Sequence, residues 1–178
     1  MNSDSNKKPD IIIVDDHLIF RQGLKAILNF EEIGSVIGEA SDGEEFIELL
    51  STLNPDIVLM DIDMPQMNGF DATIKALQLQ PNLKIIAFTV FSEEEYYNKM
   101  IAIGAKGFIL KSSGFNELES AIHTVMQGDS YFLDPLRTYK EANLHPIDLI
   151  KTTVNEISLN TTKEKVLFFP WIFHLKTV

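Results

Sequence analysis

Four apolar runs in this chain end in residues that can do chemistry. The acid pair Asp15–Asp16 follows DIIIV, and Asp61 follows DIVLM with Asp63 two positions on. Thr89 lies at the end of LKIIAFTV, and Lys111 follows KGFIL. Crowded carboxylates repel one another unless something positive sits among them. A hard divalent cation answers that need: Mg²⁺ prefers oxygen ligands and keeps several waters, so one or two carboxylates and a phosphate oxygen suit it. A carboxylate beside such an ion can attack a phosphoryl group and hold the acyl phosphate that forms. Lys111 would neutralise phosphoryl charge and Thr89 would donate a hydrogen bond. Single acids at strand ends usually cap helices or face solvent, which is the reading for Asp42 and Asp56. His17, opening a helix, reads as a surface residue, and Glu93–Glu95 as a helix N-terminus favoured by its dipole.

Those ends meet only if the runs are strands of one parallel sheet. Residues 10–14, 35–40, 56–60, 83–90 and 106–110 are short apolar runs, the first rich in β-branched residues, as strands buried on both faces are. Amphipathic stretches alternate with them. Leu18, Phe20, Leu24, Ile27 and Leu28 approximate one helical face. Asp42 is a plausible cap for a helix over 42–53, Pro81 stops one over 69–79, Ser92 caps one that Gly104 ends, and Gly128 closes one over 114–128. Five strand–helix units predict a doubly wound, five-stranded parallel α/β sheet. Its chemistry belongs beyond the carboxyl ends of the strands, where these residues lie.

Composition narrows the class. There is no cysteine, hence no disulfide, no thiolate chemistry and no cysteine-based metal site. The first ten residues are polar and unlike a signal peptide, and no run reaches the ~18 apolar residues a bilayer span needs. A cytoplasmic protein is expected. Residues 1–134 hold 9 Lys/Arg against 22 Asp/Glu, net −13, and residues 135–178 hold 6 against 4, net +2. The acidic body would repel a phosphate backbone.

The segments IIIVDDHLIFRQGL, DIVLMDIDMPQMNG, IIAFTV and AKGFILKSS resemble, in that order, the receiver domain of bacterial two-component response regulators. The opening DDH-x-x-x-R-x-G-L, and a lysine followed by serine rather than proline, resemble the NarL/LuxR subfamily. The resemblance implies a flavodoxin-like receiver over residues 10–128, with Asp61 as phosphoacceptor. It further implies Mg²⁺ on Asp15, Asp16, Asp61 and the backbone carbonyl of Asp63, with Thr89 and Lys111 reading the phosphoryl group and Phe108 as the switch aromatic. A sensor histidine kinase would be the phosphoryl donor. A homodimer would form through the fourth helix, fifth strand and fifth helix. DIDMP is also similar to the D-x-D motif of haloacid-dehalogenase-type phosphohydrolases. That family places the motif on its first strand with the acid pair downstream, the reverse of the order here, and has Thr or Val where Met64 stands.

Residues 1–9 read as a disordered N-terminus and 129–158 as a linker. LNTTKEKVL, within 159–178, is similar to the opening of that subfamily's helix-turn-helix output domain. After Leu167 the likeness stops, so the C-terminal tail reads as a truncated or replaced output domain. DNA binding is then expected only if a complete output domain follows.

Overall fold

The computed structural model describes residues 7–132. The remaining linker and the output-domain segment, like residues 1–6, lie outside the described residues. In chain order the elements are β1 (Asp10–Val14), α1 (Leu18–Phe30), β2 (Ser35–Ala40), α2 (Gly43–Leu49), β3 (Ile57–Met60), α3 (Gly69–Leu79), β4 (Lys84–Thr89), α4 (Glu94–Ala102), β5 (Gly107–Leu110), α5 (Phe115–Met126) and β6 (Tyr131–Phe132). All neighbouring strands are parallel, in the order β2-β1-β3-β4-β5-β6. The doubly wound parallel sheet is therefore as expected, with one addition. Tyr131 and Phe132, which the sequence reading gives to the linker, add a sixth strand, and the Tyr131 N–H donates to the Lys106 carbonyl at 2.8 Å. Two residues carry too little periodicity to be read as a strand.

Strand alternation divides the core between the two faces of the sheet. Ile11, Ile13, Ile57, Leu59, Ile86, Phe88 and Ile109 pack with Leu24 and Leu28 of α1 and with Leu118, Ile122 and Val125 of α5. Ile12, Val14, Val58, Met60 and Ile85 point the other way, against Phe46 of α2 and Ala72 and Ala76 of α3. Ala87, Phe108 and Leu110 continue that second face beneath Met100 of α4. Fully burying such a side chain stabilises by about 1.5–3 kcal/mol. The strands whose ends carry the candidate residues are thus almost wholly buried.

Helix ends follow local chemistry. Asp42 accepts from the N–H groups of Glu44 and Glu45, and Asn68 from that of Asp71. Gly104 and Gly128 adopt φ of +102° and +98° just past α4 and α5. Two expectations are corrected. The cap of α4 is Glu93 rather than Ser92, with no side-chain hydrogen bond. Leu18 is exposed, so the buried stripe of α1 begins only at Phe20. No helix among the described residues is long and apolar enough to cross a membrane.

Candidate functional site

The ladder itself delivers the ionic residues to one edge. The Asp15 N–H donates to Ala40 O at 3.0 Å, that of Asp61 to Val14 O at 2.9 Å, and that of Lys111 to Thr89 O at 2.7 Å. Each is therefore the first residue past its strand, with its backbone still held by the neighbouring strand. The loop after Asp61 folds straight back onto it. The Gly69 N–H donates to Ile62 O at 2.8 Å, and a Cβ on Gly69 would lie 2.0 Å from the Asp61 carbonyl oxygen. Only glycine fits there.

Lys111 joins the two buried acids. Its Nζ lies 2.5 Å from Asp61 Oδ2 and 2.6 Å from Asp15 Oδ2, with all three side chains almost wholly out of solvent. The same ammonium stands 4.7 Å from the centroid of Phe20. Asp61 Oδ1 accepts the Ile62 N–H at 2.7 Å, and Asp15 Oδ1 accepts the His17 N–H at 2.9 Å. Burial pushes the Asp15 carboxyl above its ordinary range. The Lys111 charge and hydrogen bond pull it back, and the Asp61 charge adds slightly to the rise.

Asp16 completes the group on the solvent side. Its Oδ1 is 2.7 Å from His17 Nδ1, which is also 3.4 Å from Asp15 Oδ1. One ligand atom each from Asp15, Asp16, His17 and Asp61 falls within 4.8 Å of the others, the only such group among the described residues. Three carboxylates, two buried and the third, Asp16, on the solvent side, fit a hard divalent cation. The sequence reading leaves His17 out because it sees an exposed residue; its ring is exposed, yet it faces both acids.

The remaining expected residues are placed differently. The exposed Asp63 is on the loop after Asp61, and its side chain is outside the cluster. Thr89 is fully buried, with Oγ1 3.4 Å from the Phe91 N–H it accepts. Phe108 is buried beneath α4, where Tyr97 meets it edge-on at 5.3 Å between centroids. The Ile62 N–H on Asp61 is a contact that no side-chain motif could have revealed.

Comparison with known proteins gives the family and the fold. The family model described as the response regulator receiver domain matches residues 11–123. The transcriptional regulatory protein DegU of Brevibacillus brevis is 39% identical over 132 residues, which span 74% of this chain and 56% of DegU. The chain thus spans little more than half of that relative. A LuxR-family two-component response regulator from Aurantimonas sp. SI85-9A1 superposes with a TM-score of 0.68 at 28% identity, covering 85% of this chain and 99% of that one. CheY in the CheX–CheY–BeF3–Mg²⁺ complex of Borrelia burgdorferi gives a TM-score of 0.65 at 28% identity, covering 70% and 94%.

Proposed function

Because the chain belongs to the response regulator receiver family, in its NarL/LuxR branch, we propose that Asp61 takes a phosphoryl group from a sensor histidine kinase and that the resulting change controls an output, transcription in relatives such as DegU. The observation that carries the assignment is the pairing of buried Asp61 with Lys111 at 2.5 Å beside a second buried acid. An Asp61 oxygen attacks phosphorus in line as the P–N bond of the donor phosphohistidine breaks, and the departing imidazole takes up a proton. Lys111, already at Oδ2, follows the charge onto the phosphoryl oxygens. The Ile62 N–H keeps the carboxylate oriented. Thr89 trades its weak contact with Phe91 for the phosphoryl group, and Phe108 senses that movement. Asp15, Asp16, Asp61 and the Asp63 carbonyl would hold Mg²⁺, which when bound supplies charge neutralisation at the phosphoryl oxygens. The Mg²⁺ in the CheY complex supports that choice of ion.

This is a switch labelled once per cycle, working in the cytoplasm, rather than an enzyme with a small-molecule product. The acid pair after the first strand and the acceptor after the third run opposite to the order of the dehalogenase-type motif. Exposed Leu18 and Ile19, immediately after the acid pair, suit the docking of a kinase partner. A homodimer through α4, β5 and α5 belongs to the same reading. With β6 on the edge of β5, that contact would run through the helices.

Intact-mass spectrometry tests the assignment. Acetyl phosphate with Mg²⁺ should add one phosphoryl mass to the parent and none to Asp61→Asn. Retention of the label in Asp61→Asn overturns it.

A further inference from the structure

The arginine of the DDH-x-x-x-R opening has no part in the chemistry above. We propose that Arg21 is a positioning residue for the cation site, fixing the loop that carries Asp15 and Asp16 through the carbonyl oxygen of Asp15. The inference rests on the reading of those two acids as metal-holding.

Backbone accounting leads to it. The paired register of β1 ends at Val14 on both sides, against Ala40 of β2 and Met60 of β3. The Asp15 N–H is still claimed by Ala40 O, but the Asp15 carbonyl lies beyond the ladder. Arg21 Nη1 donates to it. A buried carbonyl left unpaired costs about as much as a lost hydrogen bond. Arg21 reaches back because it sits in the first turn of α1, its own N–H on His17 O at 3.0 Å, and helical side chains lean towards the N-terminus.

Its surroundings hold it in place. A cation in the first turn faces the positive end of the helix dipole, and α1 has no acid in that turn to offset it. The side chain is only 11% exposed, and Nε is buried without a hydrogen-bond partner, 3.9 Å from Glu39 Oε2. Glu39, on β2, also holds Lys25 at 2.6 Å. An arginine here is unfavourable for α1 by itself. The Asp15 carbonyl and Glu39 are what stabilise it, so β2 braces the guanidinium and the guanidinium braces the acid loop.

Loss of the outer partner of a metal ligand typically weakens metal affinity by about 10–100-fold. Calorimetric titration of the full chain with Mg²⁺, beside thermal melts without it, tests the inference. Arg21→Gln should raise the Mg²⁺ dissociation constant at least about tenfold. Its Asp61 labelling by acetyl phosphate should fall at limiting Mg²⁺ and return to within about twofold of the parent at saturating Mg²⁺. Arg21→Lys, which keeps the charge without the planar fork, should recover part of the affinity. Glu39→Gln, outside the acid cluster, should weaken binding in the same direction. A Mg²⁺ constant in Arg21→Gln within about twofold of the parent, with only the melting temperature lowered, overturns the proposal. If Arg21→Gln does not fold, parent-like constants in both Arg21→Lys and Glu39→Gln overturn it equally. A parent chain that binds no Mg²⁺ removes the metal reading beneath it, a distinct result because no variant is needed to see it.

Discussion

Tyr97 of α4 stands edge-on to two phenylalanines at once, Phe108 of β5 at 5.3 Å and Phe132 of β6 at 6.1 Å between ring centroids. The tyrosine therefore ties the expected switch aromatic to β6, the strand that follows α5. Aromatic pairs in such arrangements contribute about 0.5–1.5 kcal/mol beyond the area they bury. A displacement of Phe108 is thus not absorbed locally.

Phosphorylation of Asp61 should accordingly shift the backbone amide resonances of Tyr97 and Phe132 as well as those near the site. Thr89→Ala should still be labelled by acetyl phosphate but lose at least about half of that remote shift, because the buried hydroxyl proposed to meet the phosphoryl group is gone. Nitrogen–proton correlation spectra of parent and variant, each with and without label, make the comparison. Equal remote shifts in both would exclude the Thr89 route.

Phe108 has no polar atom to satisfy, which suits its full burial against Met100 and Leu110. Phe108→Tyr would carry a hydroxyl into that site. Placed there without a partner it should cost about 1–3 kcal/mol, read as a lower urea midpoint at unchanged slope. An unchanged midpoint would mean that the ring can turn its para position to solvent.

The fold was legible wherever one signal repeated. Strands buried on both faces announce themselves as apolar runs, and an ionic residue closing such a run has few places to go except the sheet edge. The places of Asp15, Asp61 and Lys111 at one sheet edge were readable for that reason. β6 was not, because Tyr131 and Phe132 are too few to show a period, and their place depends on the open edge of β5. The contacts of His17 and Arg21 were not legible because they come from how the β1–α1 turn folds back. Spacing in the sequence does not encode that geometry.

Lys111 is the cation shared by Asp15 and Asp61. Lys111→Met keeps much of the volume and removes the charge, leaving two buried acids facing each other. In Mg²⁺-free buffer the variant should be less stable by about 3 kcal/mol, the scale on which breaking a buried pair acts. Mg²⁺ should then raise its melting temperature more than that of the parent, since the ion supplies the positive charge that is missing. Equal Mg²⁺-induced rises in both proteins would show that Lys111 and the cation do not share these acids.

Acidity gives a separate handle on the same cluster. Burial holds the Asp15 carboxyl above its ordinary 3.8, with Lys111 opposing and the Asp61 charge adding to the rise. Between 3.8 and that raised value the folded chain binds more protons at this site than the unfolded chain. The contribution of Asp15 to stability must then fall as pH rises through that window, and it stays low above it. Burial raises Glu117 as well, giving a slope of the same sign, so the measurement needs a variant that removes one and keeps the other. Asp15→Asn does so. In Mg²⁺-free buffer, urea midpoints taken from about pH 4 to about pH 8 should decline less steeply in Asp15→Asn than in the parent. A cation binds only the ionised carboxylate, so Mg²⁺ competes with the proton. In the parent the stabilisation by Mg²⁺ should therefore grow as pH rises through the same window, while in Asp15→Asn it should be weaker and less dependent on pH. Parallel pH profiles for the two proteins, with and without Mg²⁺, would remove Asp15 from both the proton and the metal linkage.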